Sequence, residues 1–311
     1  IAGREEDAVT WVDRNTTTGE ITFNGFLKNG TSGVSGLNFP VSIDISLDGK
    51  HIYLVGRDDN AVSWFDRNTT NGDLSFTGYV QNGSNGINNL LSPENLLLTS
   101  SGDFLYVSSP EANATLWFSR DSSTGNLTYI SSITDGINGV SGIKGAYYLS
   151  LSPNEENLYV SAKTDYSIAW FDRNTTSGSL NYGGKLAYDT ADYIPTKDPT
   201  GAQVSADGKY FYQLGGSSDD IAWLTRNPTN GALLYQKSGP SYTITNDDIN
   251  KRISVIAKFT DGGGNLVLKS SYDTQLVQAS PNSPPTDLNP TAPLTIAENQ
   301  PIGTIVGEFN A

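Results

Sequence analysis

The sequence predicts an all-β protein whose main part is a β-propeller, a set of four-stranded sheets arranged radially as blades. The first observation is a fixed repeat, because the five tryptophans are spaced evenly by 53 residues: Trp11, Trp64, Trp117, Trp170 and Trp223. The second is that each copy contains short alternating β-rich runs separated by Gly, Asn and Asp turns, with no helical period. Four such runs in each copy are typical of a propeller blade.

The second half of each copy predicts a hairpin, as in AVSWFDRNTTNGDLSF around Trp64. An Arg, a Gly and an aromatic residue follow the tryptophan at fixed distances, here Arg67, Gly72 and Phe76. The Gly is expected at the positive-φ position of the turn, which a side chain would oppose. The Arg has two interpretations: a fork that ties neighbouring blades together, or a solvated strand end.

The first half of a copy stands before four of the tryptophans, as in VSIDISLDGKHIYLVG. It predicts two more strands, the second of which contains a tyrosine, and these tyrosines are Tyr53, Tyr106, Tyr159 and Tyr212. Residues 1–239 are therefore expected to form four complete blades and part of one before them. We expect an open or incomplete ring that begins within a blade, the alternative being a five-bladed ring completed by later strands. The five tryptophans are expected to be buried between blades, where each ring contributes about 150–250 Å².

Composition excludes several function classes. A formal net charge of −14 argues against binding to nucleic acid or to an anionic membrane, both of which require clustered Lys and Arg. The chain has no cysteine, so disulfides and thiolate metal sites are absent. No run of apolar residues is long enough to span a bilayer. Because the sequence has no Met and begins at Ile1, we expect a mature product or a fragment.

The run ISLDGKHIYLVGRDDNAVSWFDRNTTNGDLSF resembles a blade of the lactonase-type seven-bladed propellers, a family that includes 6-phosphogluconolactonase-like proteins. The shared pattern is Asp-Gly-Lys, a Tyr in the next strand, a short acidic turn, a hydrophobic strand and T-x-G-x-L. The resemblance extends over about residues 1–239. It implies the fold, and a lactone or sugar as the class of ligand.

After Gly239 the repeat ends, and we expect a C-terminal β-sandwich-like fragment. Residues 240–278 resemble the second half of an immunoglobulin-like repeat of bacterial adhesins, with Y-T-I-T followed by I-S-V-x-A-x-F-T-D-G. Residues 279–293 are rich in Pro and Asn and predict a stiff linker. Residues 294–311 are similar to the start of a cadherin-like domain, which implies a calcium ligand at Glu298. One Glu cannot supply the six to eight oxygens that Ca²⁺ requires.

Candidate ligand contacts are sought where the repeat is broken or where turns are acidic. The turns between second and third strands contain five aspartates that predict an acidic rim, unless they simply favour turns: Asp58, Asp59, Asp165, Asp219 and Asp220. The fourth connection between blades departs from the others and contains Tyr188, Tyr193 and Lys197. These three are predicted ligand contacts, the alternative being sequence drift in a terminal blade. The single histidine, His51, is interpreted as a structural or an exposed residue and not as a catalytic one.

These observations together predict a non-enzymatic adhesion or interaction scaffold, part of a large bacterial surface or secreted protein. Its partner is expected to be a cell-surface protein or a glycan, its location extracellular or on the cell surface, and no cofactor other than calcium is expected. The alternative function is a lactonase acting at the mouth of the propeller channel, and an inert spacer is the third. No catalytic residue is assigned, because G-x-S-x-G, H-E-x-x-H and P-loop motifs are absent.

Overall fold

The predicted fold class is confirmed by a computed structural model, which describes residues 1–187, 198–216, 220–234, 256–260 and 266–270. The described residues form antiparallel sheets and no helix, and the ring of blades is not closed among them. Accordingly, this part of the chain has no helix that is long and apolar enough to cross a membrane. The chain divides into two units, Ile1–Tyr235 and Gln236–Ala311. The first unit therefore contains the repeat.

Among the described residues, the first unit contains one three-stranded blade and four four-stranded blades, with strands paired in chain order. The first blade contains β1 (Ala2–Gly3), β2 (Ala8–Arg14) and β3 (Ile21–Lys28). The second blade contains β4 (Pro40–Ile45), β5 (His51–Gly56), β6 (Ala61–Arg67) and β7 (Leu74–Gln81), and the third contains β8 (Asn95–Leu98), β9 (Phe104–Ser109), β10 (Ala114–Arg120) and β11 (Leu127–Thr134). The fourth blade contains β12 (Ala146–Leu151), β13 (Asn157–Ala162), β14 (Ser167–Arg173) and β15 (Leu180–Ala187). The fifth contains β16 (Pro199–Val204), β17 (Tyr210–Gly215), β18 (Asp220–Arg226) and β19 (Leu233–Leu234).

In the second unit, the description is limited to β20 (Ile256–Thr260) and β21 (Leu266–Ser270), which pair as an antiparallel hairpin. The β-sandwich-like fragment predicted for this segment therefore stays a prediction.

The first strands of successive blades lie side by side around the axis of the first unit. Polar side chains of one first strand accept hydrogen bonds from the backbone of the next. Ser42 Oγ accepts from Leu96 N at 3.2 Å, Asn95 Oδ1 from Leu149 N at 3.0 Å, and Ser150 Oγ from Val204 N at 3.2 Å. These contacts satisfy backbone groups that each blade leaves unpaired at its inner edge.

Blades pack face to face through apolar side chains. We call the side of a blade that carries its tryptophan the tryptophan face, and the other side the opposite face. Between the second and third blades, Tyr53 and Trp64 of one tryptophan face pack with Leu105 and Phe118 of the next opposite face. The indole of Trp64 also lies against Gly78 of the outer strand, where an added Cβ would come within 2.7 Å of the ring. Each seam is therefore a small hydrophobic core.

The five tryptophans differ in burial although the repeat gives them equivalent positions. Trp64 and Trp117 are buried between blades, and Trp11 and Trp170 are partly buried. Trp223 departs from the expectation, because 66% of it is exposed. The physical reason is that no described sheet packs on the tryptophan face of the fifth blade.

A hydrogen-bonded triad joins blades at three seams. The Tyr53 hydroxyl donates to the Gly125 carbonyl at 2.8 Å and accepts from Arg120 Nε at 2.6 Å, both in the next blade. The same seam triad recurs at Tyr106, Arg173 and Gly178, and at Tyr159, Arg226 and Gly231. All three arginines are buried, so at these positions the arginine is a fork between blades. Arg67 is half-buried and Arg14 is exposed.

The seam triads predict a loss of stability at alkaline pH. Burial raises the pKa of Tyr53 from its ordinary value of 10.0 to about 12, although Arg120 opposes the shift. A group whose folded pKa is raised favours folding below its unfolded pKa, so this contribution should be lost as pH rises from 10 to about 12. Urea unfolding at stepped pH tests this expectation. Tyr53→Phe should start less stable by about 1–3 kcal/mol and lose less over this range, whereas Tyr79→Phe, which removes an exposed phenol, should follow the wild type.

Candidate functional site

A group of charged side chains in the described residues lies at one end of the inner strands. Within a blade, the start of the first strand pairs with the end of the second, as Pro40 does with Gly56 and Ala146 with Ala162. Side chains at these two positions of neighbouring blades therefore meet at the same end of the inner strands. We call this group the inner rim; it consists of Arg4, Arg57, Glu94, Tyr147, Lys163 and Asp198.

A β-bulge sets the direction of the inner-rim side chains on the first strands. The register shifts between Pro40 and Ser42 and between Ala146 and Tyr148, which leaves Val41 and Tyr147 as extra residues. Glu94 holds the corresponding position of the repeat in the third blade. Bulges turn a side chain away from the regular alternation and are frequent near active sites. The repeat thus fixes the backbone at this position while the side chain changes from blade to blade.

Glu94 is the buried acid of the inner rim. Its Oε1 lies 3.1 Å from Arg57 Nε, and the carboxylate accepts a hydrogen bond from the Tyr147 hydroxyl. Burial raises the pKa of Glu94, while the charges of Arg57, Arg4 and Lys163 act in the opposite direction. The carboxylate is therefore held in place by its partners but is more basic than an exposed glutamate.

Basic side chains surround Glu94 on a partly exposed surface. Lys163 Nζ forms an ion pair with Asp198 and lies 5.0 Å from the centre of the Tyr147 ring. The hydrogen bond to Asp198 raises the pKa of Lys163, so the ammonium is charged at neutral pH. Arg57 lies over the Phe39 ring with 39% of its side chain exposed. This arrangement places accessible positive charge beside a buried base.

The inner rim has the groups that acyl-transfer chemistry requires. A carboxylate with a raised pKa can take a proton from water near neutral pH. Fixed cationic donors can stabilise the negative oxygen that forms when water adds to a carbonyl carbon. In the described residues, His, Cys, Asp and Glu side chains do not gather in threes as a metal site would require.

Two of the predicted acidic-turn residues, Asp59 and Asp165, make hydrogen bonds to the connections between blades. Asp59 Oδ2 accepts hydrogen bonds from Asn38 N at 2.9 Å and from Asn29 Nδ2 at 3.2 Å. Asp165 Oδ2 accepts from Lys144 N at 3.2 Å. Both residues thereby fix the connections between blades, and Asp58 is exposed. For Asp59 and Asp165 these contacts favour the turn interpretation over ligand binding.

Five other predicted site residues lie outside the described residues: Tyr188, Tyr193, Lys197, Asp219 and the predicted calcium ligand Glu298. Asp220 begins β18, where its backbone pairs with Gly215. These assignments stay predictions.

His51 belongs to a seam between blades. Its Nδ1 lies 2.7 Å from Nη2 of Arg120, which donates to it, and its Nε2 lies 3.6 Å from Asp66. Burial, and next the Arg120 charge, lower the pKa of His51. The equivalent positions in the third and fourth blades are Phe104 and Asn157. An imidazole that is buried and replaced by phenyl and amide groups is consistent with a structural role.

Sequence reasoning missed the inner-rim residues, although a signal for them is present. When the copies of the repeat are aligned, the bulge position contains Val41, Glu94, Tyr147 and Thr200 in successive blades. The position after the second strand contains Arg4, Arg57, Pro110, Lys163 and Gly216. These positions vary in charge from blade to blade, whereas the tryptophan, the arginine and the turn glycine recur in every copy. The acidic turns were predicted as ligand contacts instead, because aspartate occurs in several of them.

Comparison with known proteins identifies the repeat. A family model described as "Lactonase, 7-bladed beta-propeller" matches residues 4–141 and 129–243, which is more than half of the chain. No curated protein matches the chain.

Several solved structures share the fold. A candidate 6-phosphogluconolactonase from Bacteroides uniformis is 20% identical with a TM-score of 0.59, covering 73% of this chain and 63% of that one. The periplasmic gluconolactonase PpgL of Pseudomonas aeruginosa is 17% identical with a TM-score of 0.60, covering 73% and 61%. A protein from Lactobacillus plantarum is 14% identical with a TM-score of 0.63, covering 76% and 66%. This chain thus spans less than two thirds of the length of these structures.

Proposed function

Because the chain belongs to the lactonase family of seven-bladed β-propellers, we propose that it is a lactone hydrolase whose site is the inner rim. The observation that carries the proposal is the buried Glu94 carboxylate, paired with Arg57 where the inner strands begin. Support also comes from two solved relatives whose names refer to phosphogluconolactonase or gluconolactonase.

The family match corrects the main functional prediction made from the sequence. A non-enzymatic adhesion scaffold was expected for two reasons. The residues that recur in every blade were interpreted as architectural, and no familiar catalytic motif was present. That prediction is wrong, since the matched family is named for lactonase and covers residues 4–243 in two overlapping segments. The chemistry was overlooked because it lies in the columns that vary between copies.

In the proposed reaction, water hydrolyses the lactone, and the proton that Glu94 accepts is passed on to the product. Glu94 takes a proton from a water molecule as the water oxygen bonds to the lactone carbonyl carbon. The negative oxygen of the resulting tetrahedral intermediate lies against Arg57 or Lys163, whose charge stabilises it. Collapse breaks the bond between the carbonyl carbon and the ring oxygen. The proton held by Glu94 then passes to that oxygen, and the product is the open hydroxy acid.

The predicted ligand contacts Tyr188, Tyr193 and Lys197 extend this proposal. Lys197 directly precedes Asp198, the partner of Lys163, and Tyr193 and Tyr188 stand five and ten positions before it in the sequence. Tyrosine and lysine side chains can donate hydrogen bonds to the hydroxyl groups of an aldonolactone. The proposal therefore keeps these residues as substrate contacts.

Ring opening of glucono-δ-lactone, followed by base titration at constant pH, tests the proposal. The wild type should exceed the spontaneous rate, and Lys163→Met should lower kcat/KM by about 10- to 100-fold, since it removes one charge near the developing oxyanion. Lys209→Met is the matched control, because Lys209 is exposed in the turn before β17, at the other end of its blade. A wild-type rate equal to the background for a panel of aldonolactones would contradict the proposal.

We further propose a periplasmic or secreted location, which narrows the expected extracellular one. Its support is the printed name of the Pseudomonas relative, a periplasmic gluconolactonase. The immunoglobulin-like and cadherin-like assignments of residues 240–311, with calcium at Glu298, stay predictions.

A further inference from the structure

Phe39 has a backbone conformation that a bulky side chain rarely adopts. It directly precedes β4 and has a φ of 52°, in the left-handed region. The equivalent positions of the next three blades also have positive φ, and they contain Ser92, Gly145 and Asp198. The repeat thus uses short side chains or none at this position, and phenylalanine is the outlier. A strained residue persists only where its surroundings hold it, and such residues cluster at functional sites.

Neighbouring groups fix the backbone of Phe39 independently of its ring. Its N–H donates to Asp7 Oδ1 at 2.9 Å, and its carbonyl accepts from Arg57 N at 3.2 Å. The equivalent N–H groups of Ser92 and Gly145 likewise donate to side-chain oxygens, at 2.7 and 2.8 Å. The backbone geometry therefore belongs to the repeat and does not require an aromatic residue. The ring has to be explained by its own contacts.

The ring of Phe39 contacts two arginines of the inner rim. Cζ of Arg57 lies 5.6 Å from the ring centre, and Cζ of Arg4 lies 5.7 Å from it. A guanidinium at this distance over an aromatic face is attracted electrostatically. The same Arg57 places its Nε 3.1 Å from Glu94 Oε1. A long, partly exposed side chain loses rotamer freedom in such a contact, and the ring limits that freedom.

An aromatic residue accompanies the cation in each complete blade that has a cation at the inner rim. The pair is Phe39 and Arg57 in the second blade, and Tyr147 and Lys163 in the fourth. The aromatic residue stands at the positive-φ position in one blade and at the bulge position in the other. The third and fifth blades have a proline and a glycine in place of the cation, and neither has an aromatic residue at these two positions. The aromatic residue therefore occurs with the cation and is not a general feature of the blades.

We propose that Phe39 is a positioning residue of the inner rim, whose ring holds the Arg57 guanidinium against the Glu94 carboxylate. The effect on catalysis rests on the proposed function, in which Glu94 is the general base and Arg57 faces the developing oxyanion. The contact between the ring and the ion pair does not depend on that function. Phe39 itself takes no part in the proton transfer.

The pKa of Glu94 responds to the position of Arg57. The charges of Arg57, Arg4 and Lys163 and a hydrogen bond from Tyr147 lower this pKa against the effect of burial. Without the ring, both arginines can turn toward solvent, whereas Lys163 and Tyr147 keep their contacts. Positive charge that moves away stabilises the carboxylate less, so the pKa of Glu94 should rise further. The rise of kcat with pH should then move to higher pH, because the base stays protonated over a wider range.

Phe39→Asn in the full chain tests the proposal, because asparagine accepts positive φ and removes the ring. Carbon-13 NMR titration of the Glu94 carboxyl, assigned with Glu94→Gln, should give a higher pKa than in the wild type. The kcat/KM for glucono-δ-lactone should fall by about 10-fold, since the charged groups are less well oriented. Phe39→Tyr keeps the ring and is the matched control, with the pKa and the rate of the wild type. Phe39→Gly, which also accepts positive φ, replaces the Asn variant if that variant does not fold.

The two measurements separate the role of Phe39 from the proposed function. An unchanged pKa of Glu94 in Phe39→Asn would overturn the positioning role, whatever the rates. The role would also be overturned if Phe39→Tyr behaved like Phe39→Asn, because the ring would then not be the cause. A raised pKa in a chain that hydrolyses no aldonolactone would support the role of Phe39 and contradict the lactonase function.

Discussion

Glu94→Gln is expected to lower kcat for lactone hydrolysis by about 100- to 10,000-fold, the usual contribution of a positioned general base. The amide keeps the size and the hydrogen-bonding oxygen of the side chain but cannot take a proton from water. Because Arg57 and Tyr147 both contact the carboxylate, KM should change much less than kcat.

The pH dependence of the wild type provides an independent test of Glu94. Burial raises its pKa above the ordinary value of 4.5. A general base acts when deprotonated, so kcat should rise with pH through that raised pKa and then level off. Glu94→Gln should lose this acid limb, a change that a merely structural residue would not produce.

A matched control separates chemistry from general disturbance. Glu111→Gln makes the same substitution in an exposed turn at the same end of the blades and should leave kcat and the pH profile unchanged. If Glu94→Gln retained more than about a third of wild-type kcat, the catalytic site would lie elsewhere, and variants of Tyr188 and Tyr193 would be tested next.

Trp64→Ala is expected to lower the free energy of unfolding by about 3–5 kcal/mol, the usual cost of truncating a buried aromatic side chain. The indole fills the seam between the second and third blades and donates a hydrogen bond to Asn126 Oδ1 at 3.3 Å. Its removal leaves a cavity that the strands cannot close, because the backbone pairing on both sides of Trp64 holds them apart. Urea unfolding of the wild type and the variant measures the difference.

Trp223→Ala is the matched control for Trp64→Ala. It is the same substitution at the equivalent position of the repeat, but the ring is exposed, so the free energy of unfolding should change by about 0.5 kcal/mol or less. Equal losses in both variants would contradict the idea that the next blade provides the burial.

Much of the fold could be predicted from the repeat, because a period of 53 residues with four β-rich runs leaves few architectures. The role of the arginines could not be predicted from the repeat. Arg14 and Arg120 stand in equivalent sequence positions, yet Arg14 is exposed and Arg120 is buried against Tyr53. An arginine joins two blades where the preceding blade has a tyrosine that it can contact. This depends on which residues are close in the folded chain.

The candidate site likewise combines features that the sequence determines with features that only the tertiary structure decides. The sequence by itself determined the strands, the turns and the order of the blades, because alternation and turn residues act locally. It also provided Arg57, Glu94, Tyr147 and Lys163, but these residues are up to 106 positions apart and belong to three different blades. Only the radial packing of the inner strands decided that Glu94 is buried beside Arg57 with a raised pKa, since desolvation and charge pairing depend on distance in the folded chain.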